Sequence, residues 1–192
     1  KIDSRFKALL KREAIDATDG LLTFRRIVGF IAGAPSNQHA DDLCRYITGR
    51  EVLRIFDVEM ASIFVKQTTE TYGRAPKLRK FNCRATEPEE YSFDEYERSL
   101  AWDCIQDGHG LRMNSISRNQ RFNKQVDGIG GVIHRRILYM PLRSSKGEIL
   151  GCVGFLNRTN SGDAFSEADE LMSMVFCDQL GTLLSFCNTY RT

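Results

Sequence analysis

Apolar positions along this chain recur first at helical spacing, then at strand spacing, then at helical spacing again. Phe6, Leu9, Leu10 and Ile15 predict a helix over residues 4–17, with Asp3 or Ser4 as its cap and Asp19-Gly20 as its stop. Leu21, Phe24, Ile27, Val28 and Ile31 predict a second helix over 21–32, broken by Gly33-Ala34-Pro35-Ser36. A third is expected over 37–57, with Leu43, Ile47, Leu53 and Phe56 inward and a weak point at Thr48-Gly49. The period then shortens: residues 60–66 and 78–85 read as paired strands joined by a polar connection. Residues 87–90 read as an acidic loop, 93–105 as a helix carrying Trp102 that ends at Asp107-Gly108, and 111–113 as a short strand. Residues 115–127 are polar and suit a loop with a short helix over 121–126, and Gly128-Ile129-Gly130-Gly131 asks for unusual backbone freedom.

The most orderly stretch follows. Residues 137–142 and 149–156 are apolar runs joined through Ser144-Ser145-Lys146-Gly147-Glu148, which predicts an antiparallel hairpin. Both parities of each run are apolar, so both faces are expected to be covered and the hairpin to lie centrally in a sheet. A polar loop from Asn157 to Phe165 leads to Ser166, with Asp169 three residues on, close to a capping box. A helix from residue 166 to about 190 follows, with Leu171, Met172, Val175, Phe176, Leu180, Leu183, Leu184 and Cys187 as a broad stripe. The layout is α+β, with helices against an antiparallel sheet.

Composition narrows the functional classes. The 192 residues are 42% hydrophobic and 27% charged, which suits one globular domain. The 27 basic and 25 acidic residues nearly cancel, so no electrostatic footprint for nucleic acid or an anionic membrane is present. No apolar run has membrane-spanning length and no signal-peptide pattern is visible, so a cytoplasmic protein is expected. Six scattered cysteines without a Cys-x-x-Cys pair read as small core residues of a reducing compartment, and three isolated histidines give no metal site. No Ser/His/Asp or Cys/His set suggests catalysis, and Gly128-Ile129-Gly130-Gly131 lacks the Lys and Ser or Thr of a phosphate loop, so it reads as a hinge.

One constellation is specific. Asn157-Arg158, then Phe165, then Asp169-Glu170 is similar to the Asn-Lys, Phe, Asp-Glu signature of GAF domains, with Arg in place of Lys. Residues 121–127 (Arg-Phe-Asn-Lys-Gln-Val-Asp), then Arg135-Arg136-Ile137-Leu138 and Pro141-Leu142, together with Ser99-Leu100-Ala101 and Leu111, extend the resemblance. The chain looks most like the regulatory GAF domains of cyclic nucleotide phosphodiesterases, over about residues 38–190. An Arg158–Asp169 ion pair is expected to staple the strand end to the helix start, with Phe165 anchoring the loop, which makes the signature structural.

The resemblance implies a fold and a pocket. The fold is a central antiparallel sheet with terminal helices on one face and short helices covering a pocket on the other; residues 1–36 would be a helical segment and linker, 37–192 the domain. The implied ligand residues are Ser62, Phe81, Asn82, Leu100, Ala101, Ser117, Phe122 and Asp127, with Phe81 as stacking face and Asn82 reading a base edge. Helix amino ends would serve the phosphate. Relatives often carry Asp at Asn82, Asp-Ala-Tyr at Ser115-Ile116-Ser117 and, in some, Glu at Gly154, so the preferred base can differ. Cyclic AMP or cyclic GMP is the candidate ligand. No cofactor or metal is expected within the domain, whereas a covalently linked phosphodiesterase catalytic domain would need divalent metals. The terminal helices suit a homodimer, and the alternative is a domain that binds no small molecule and serves only dimerisation or interaction.

Overall fold

The computed structural model describes residues 17–34, 40–67, 77–117, 119–159 and 164–187. Three helices open it, α1 (Ala17–Ala32), α2 (Ala40–Ile47) and α3 (Arg50–Phe56), and the first strand, β1 (Val58–Gln67), follows α3 directly. The helix expected over residues 4–17 falls almost wholly outside the described residues. The long helix expected over 37–57 divides at its weak point. Thr48 Oγ1 is 3.2 Å from both the Cys44 and the Arg45 carbonyl oxygens, Gly49 takes the N-cap of α3, and Asp57 closes α3 with φ 50° and ψ 52°.

The remaining elements are β2 (Lys77–Asn82), β3 (Glu89–Tyr91), α4 (Phe93–Tyr96), α5 (Leu100–Asp107), β4 (Leu111–Met113), β5 (Ile137–Arg143), β6 (Ile149–Arg158) and α6 (Glu167–Phe186). Six strands form one antiparallel sheet in the order β3-β2-β1-β6-β5-β4. The single helix expected over 93–105 is two, because Ser99 breaks it: its backbone is extended and its hydroxyl accepts the Trp102 N–H at 3.1 Å. The acidic loop runs into β3, and residues 121–126 form hydrogen-bonded turns in place of the expected short helix.

Alternation along the strands sorts side chains onto two faces. Ile63, Val65, Phe81, Leu138, Met140, Val153 and Phe155 face the terminal helices and share a core with residues of α1, α2, α3 and α6. Phe56 lies 4.4 Å from Phe155 and 5.0 Å from Phe176 between ring centroids, a seam joining α3, the sheet and α6. Ile27 and Phe30 of α1 are buried in the same core, so α1 packs with the sheet domain. Gly181 permits the close approach of α6 to β5: a Cβ there would lie 2.0 Å from the Arg143 carbonyl oxygen. The opposite, distal face carries Phe64, Leu78, Ile137, Tyr139, Cys152 and Leu156, roofed by Tyr96, Leu100, Ala101, Cys104, Val126 and Ile129.

Candidate functional site

The register of four strands builds the floor of the distal face. Asn82 pairs with Ser62, Ser62 with Gly154 and Gly154 with Tyr139, so these positions form one row across the sheet. A Cβ on Gly154 would fall 2.4 Å from Tyr139 Cε1 and 3.0 Å from Ser62 Oγ. The tyrosine ring therefore occupies the space that a side chain at 154 would need. The neighbouring row pairs Lys80 with Phe64 and Phe64 with Cys152. Lys80 is 1% exposed, with its Nζ 5.6 Å from the Phe64 ring centroid.

The roof meets this floor at a buried carboxylate. Asp127 is 1% exposed. Its Oδ2 accepts Leu100 N–H at 3.0 Å and Asn123 N–H at 2.8 Å, and its Oδ1 accepts Ala101 N–H at 2.9 Å and the Tyr139 hydroxyl at 3.1 Å. Two of these donors are the first amides of α5, where an unpaired N–H favours negative charge. Lys80 Nζ donates to the carbonyls of Val126 at 2.8 Å and Gly128 at 2.5 Å, with Glu89 Oε2 3.7 Å away. Burial pushes the Asp127 carboxyl up, against the four hydrogen bonds that favour its charge, and it pushes Lys80 down, against Glu89 and Asp127. Tyr139 is raised well above the ordinary phenol range, by burial first and then by Asp127.

The implied ligand residues separate. Ser62 and Asn82 lie on the floor, Leu100 and Ala101 at the start of α5, Asp127 between them, and Phe122 at the margin, its ring 5.3 Å from His134. Phe81 goes elsewhere. It sits in the row with Ile63 and Val153 and is 3% exposed within the terminal-helix core, because consecutive strand residues point to opposite faces. The expectation that Phe81 and Asn82 work side by side on the covered face is thereby corrected. At the strand end both do border a cleft of about 200 Å³, with Arg45, Thr48 and Cys83. Asn82 Oδ1 accepts Arg84 N–H and Ala85 N–H, each at 2.9 Å, so its carbonyl is engaged in the turn. Ser117 is exposed.

The signature residues form a frame behind the site. Asn157, at φ 51°, accepts the N–H groups of Arg135 and Arg136 at 2.9 and 3.1 Å and donates to the Ile133 carbonyl and Glu59 Oε2, both at 2.7 Å. It thus fixes where the 128–136 segment enters β5. Arg158 Nη1 lies 2.8 Å from Asp169 Oδ1 and 3.2 Å from the Phe56 carbonyl, which ties β6 to α6 and α3. Asp169 Oδ2 accepts from Ser166 N–H at 2.8 Å, and Asp169 N–H donates to Ser166 Oγ at 3.1 Å, a complete capping box. Phe165 is buried, its carbonyl held by Arg112 and Asn114, and Glu170 lies 3.2 Å from Arg112.

Sequence reasoning passed over Lys80 and Tyr139. Lys80 carried a signal: it shares strand parity with Leu78, so it had to face a covered side. Among the described residues no group of His, Cys, Asp and Glu is placed to hold a metal ion. Nor is any helix there long and apolar enough to cross a membrane.

Comparison with known proteins agrees with this architecture. The chain is 30% identical over 79 residues to dual 3′,5′-cyclic-AMP and -GMP phosphodiesterase 11A of Takifugu rubripes, a match covering 40% of the chain and 9% of that protein. The match therefore spans under a tenth of the length of that relative. Its fold is similar to the GAF domain of an Acinetobacter phosphoenolpyruvate-protein phosphotransferase, with TM-score 0.62, 20% identity and coverage of 86% and 92% of the two chains. It is also similar to the GAF domain of the corresponding Coxiella burnetii protein, with TM-score 0.66, 14% identity and coverage of 89% and 95%. Residues 42–184 match the GAF domain family, and with a six-stranded sheet between two helical layers the chain belongs to that family.

Proposed function

We propose that this chain is a regulatory ligand-sensing domain that takes a cyclic nucleotide, cyclic AMP or cyclic GMP, on the distal face of the sheet and controls a covalently linked phosphodiesterase catalytic domain. The observation that carries the reading is the convergence of donors at the start of α5: Leu100 N–H, Ala101 N–H and the Tyr139 hydroxyl meet at one buried anionic position roofed by a separate segment. A cyclic phosphate is a compact monoanion suited to such amides. The similarity to a dual-specificity phosphodiesterase supports the nucleotide and the linked effector. Divalent metals belong to that catalytic domain.

The dimerisation reading has its own support. Leu22 and Val28 on α1 are 46% and 49% exposed and Phe186 on α6 is 63% exposed, apolar surface on the terminal helices that a second copy could cover. Both roles are compatible, because a ligand on the distal face can act on helices packed against the same sheet through its differential affinity for two states of the domain.

Amide chemical-shift mapping during titration with each cyclic nucleotide tests the site. The reading expects the largest changes at Ser62, Asn82, Leu100, Ala101 and residues 123–129. Changes confined to α1 and α6, or none at saturating ligand, would overturn it.

A further inference from the structure

We propose that Lys80 and Asp127 form a two-point latch that holds residues 119–134 closed as a lid over the distal face. The two charges cross the seam in opposite directions. Lys80 rises from β2 and grips the lid through the carbonyls of Val126 and Gly128, while Asp127 descends from the lid and grips the first amides of α5 and the Tyr139 hydroxyl of β5. Gly128 makes the grip possible: a Cβ there would lie 2.3 Å from the Lys124 carbonyl oxygen, so only glycine allows the chain to fold tightly enough to turn two carbonyls toward one ammonium.

Two further ties hold the ends of the lid, the Arg121 guanidinium on the Asp103 carboxylate of α5 and Asn157 Nδ2 on the Ile133 carbonyl at 2.7 Å, and the rest are peripheral. The Tyr91 hydroxyl donates to the Gln125 carbonyl at 2.9 Å, Asn123 Nδ2 to the Glu95 carbonyl at 3.0 Å and Arg84 Nη1 to the Gly130 carbonyl at 3.1 Å, all at exposed positions. Val126 and Ile129 supply apolar contact on either side of the latch. Burial works against both charges, and in the closed state several partners act on each group in the opposite sense. When the lid lifts, Lys80 loses two carbonyls and Asp127 its α5 and Tyr139 donors together. On the ligand-sensing reading above, an entering phosphate can take the amides that Asp127 releases; the latch itself is defined without any ligand.

Native-state hydrogen exchange of the free protein tests this, comparing wild type with Lys80→Met, Asp127→Asn and the double variant. Methionine keeps an apolar stem beside Phe64, so Lys80→Met retains the fold. The expected result is local opening at residues 123–129 that is faster than exchange in β1 and β6 and rises ~10-fold or more in Lys80→Met, since each hydrogen bond to a charged group is worth roughly tenfold or more in an equilibrium. Rates in β1 and β6 should stay level. The double variant should fall short of the product of the two single effects, as for one coupled unit. Lid amides that exchange only with the whole sheet, or at unchanged rate in Lys80→Met, would overturn the latch, and Lys80→Met decides alone if Asp127→Asn does not fold. Failure of the nucleotide reading would look different: no ligand-induced protection, with the Lys80→Met effect intact.

Discussion

Replacing Asp169 with alanine removes two functions of one side chain, and their sizes can be worked from the contacts. Oδ2 accepts the Ser166 N–H and completes the capping box of α6, and loss of such a cap costs ~1 kcal/mol. Oδ1 pairs with Arg158 at 2.8 Å, and the two side chains are 24% and 19% exposed. A pair this shielded lies between an exposed bridge and a fully buried one, and removing one partner leaves Arg158 with the Phe56 carbonyl and Asp57, so a further ~1–2 kcal/mol is expected. Together the loss is ~2–3 kcal/mol, a drop of roughly 4–12 °C in melting temperature for a domain of this size. Urea unfolding and calorimetry read it directly. Asp169→Asn should cost less, because the amide oxygen can still cap. Ligand affinity should follow only the folded fraction; a variant that melts with wild type yet loses ligand binding would refute the structural role.

Other perturbations separate the two faces. Phe81→Ala should destabilise by ~3–5 kcal/mol in urea titration, because the ring is packed in the terminal-helix core, and a loss under ~1 kcal/mol would contradict that placement. Gly154→Ala should cost ~1–3 kcal/mol by forcing the Tyr139 ring aside, and pairing it with Tyr139→Ala should recover part of that cost; two additive losses would argue against the clash. His134 gives a pH dependence. Burial, with the Lys124 and Lys80 charges adding, holds its imidazole below the ordinary value, and its Nε2 accepts the Ile129 N–H. The unfolded chain therefore takes up the proton first. The stability tied to neutral His134 is complete above about pH 6.5 and is lost as pH falls below it. Unfolding measured from pH 7.5 to 5.5 should show this slope and His134→Gln should flatten it; an unchanged slope would dismiss the histidine as its source.

Much of the fold was legible because local chemistry and tertiary role coincide. The central hairpin announced itself through apolar residues on both parities, and Thr48-Gly49 marked the place where α2 and α3 part. Ser166 and Asp169 displayed the capping box in sequence, and Arg158 its charge partner. The break at Ser99 was hidden because Tyr96, Leu100 and Cys104 continue the four-residue apolar spacing across it, while the cap depends on one hydroxyl. The site was less legible than the fold. A resemblance carries residue types, not the face each one takes, so Phe81 and Asn82 were paired although adjacent strand positions point apart. Two of the four donors around Asp127 are backbone amides 26 and 27 residues earlier in the chain, and no side-chain pattern encodes them.

The central claim is that a cyclic nucleotide is the ligand, and a thermal-shift titration with cyclic AMP, cyclic GMP and the matching 5′-monophosphates addresses it most directly. At a hundredfold excess over the dissociation constant, a ligand that binds only the folded chain adds ~2.7 kcal/mol, a rise of roughly 5–10 °C here. The account predicts that rise with at least one cyclic nucleotide and a smaller one with its open monophosphate. An unmoved midpoint with every nucleotide would contradict it and leave the exposed apolar surface of the terminal helices as the better guide to what the domain does.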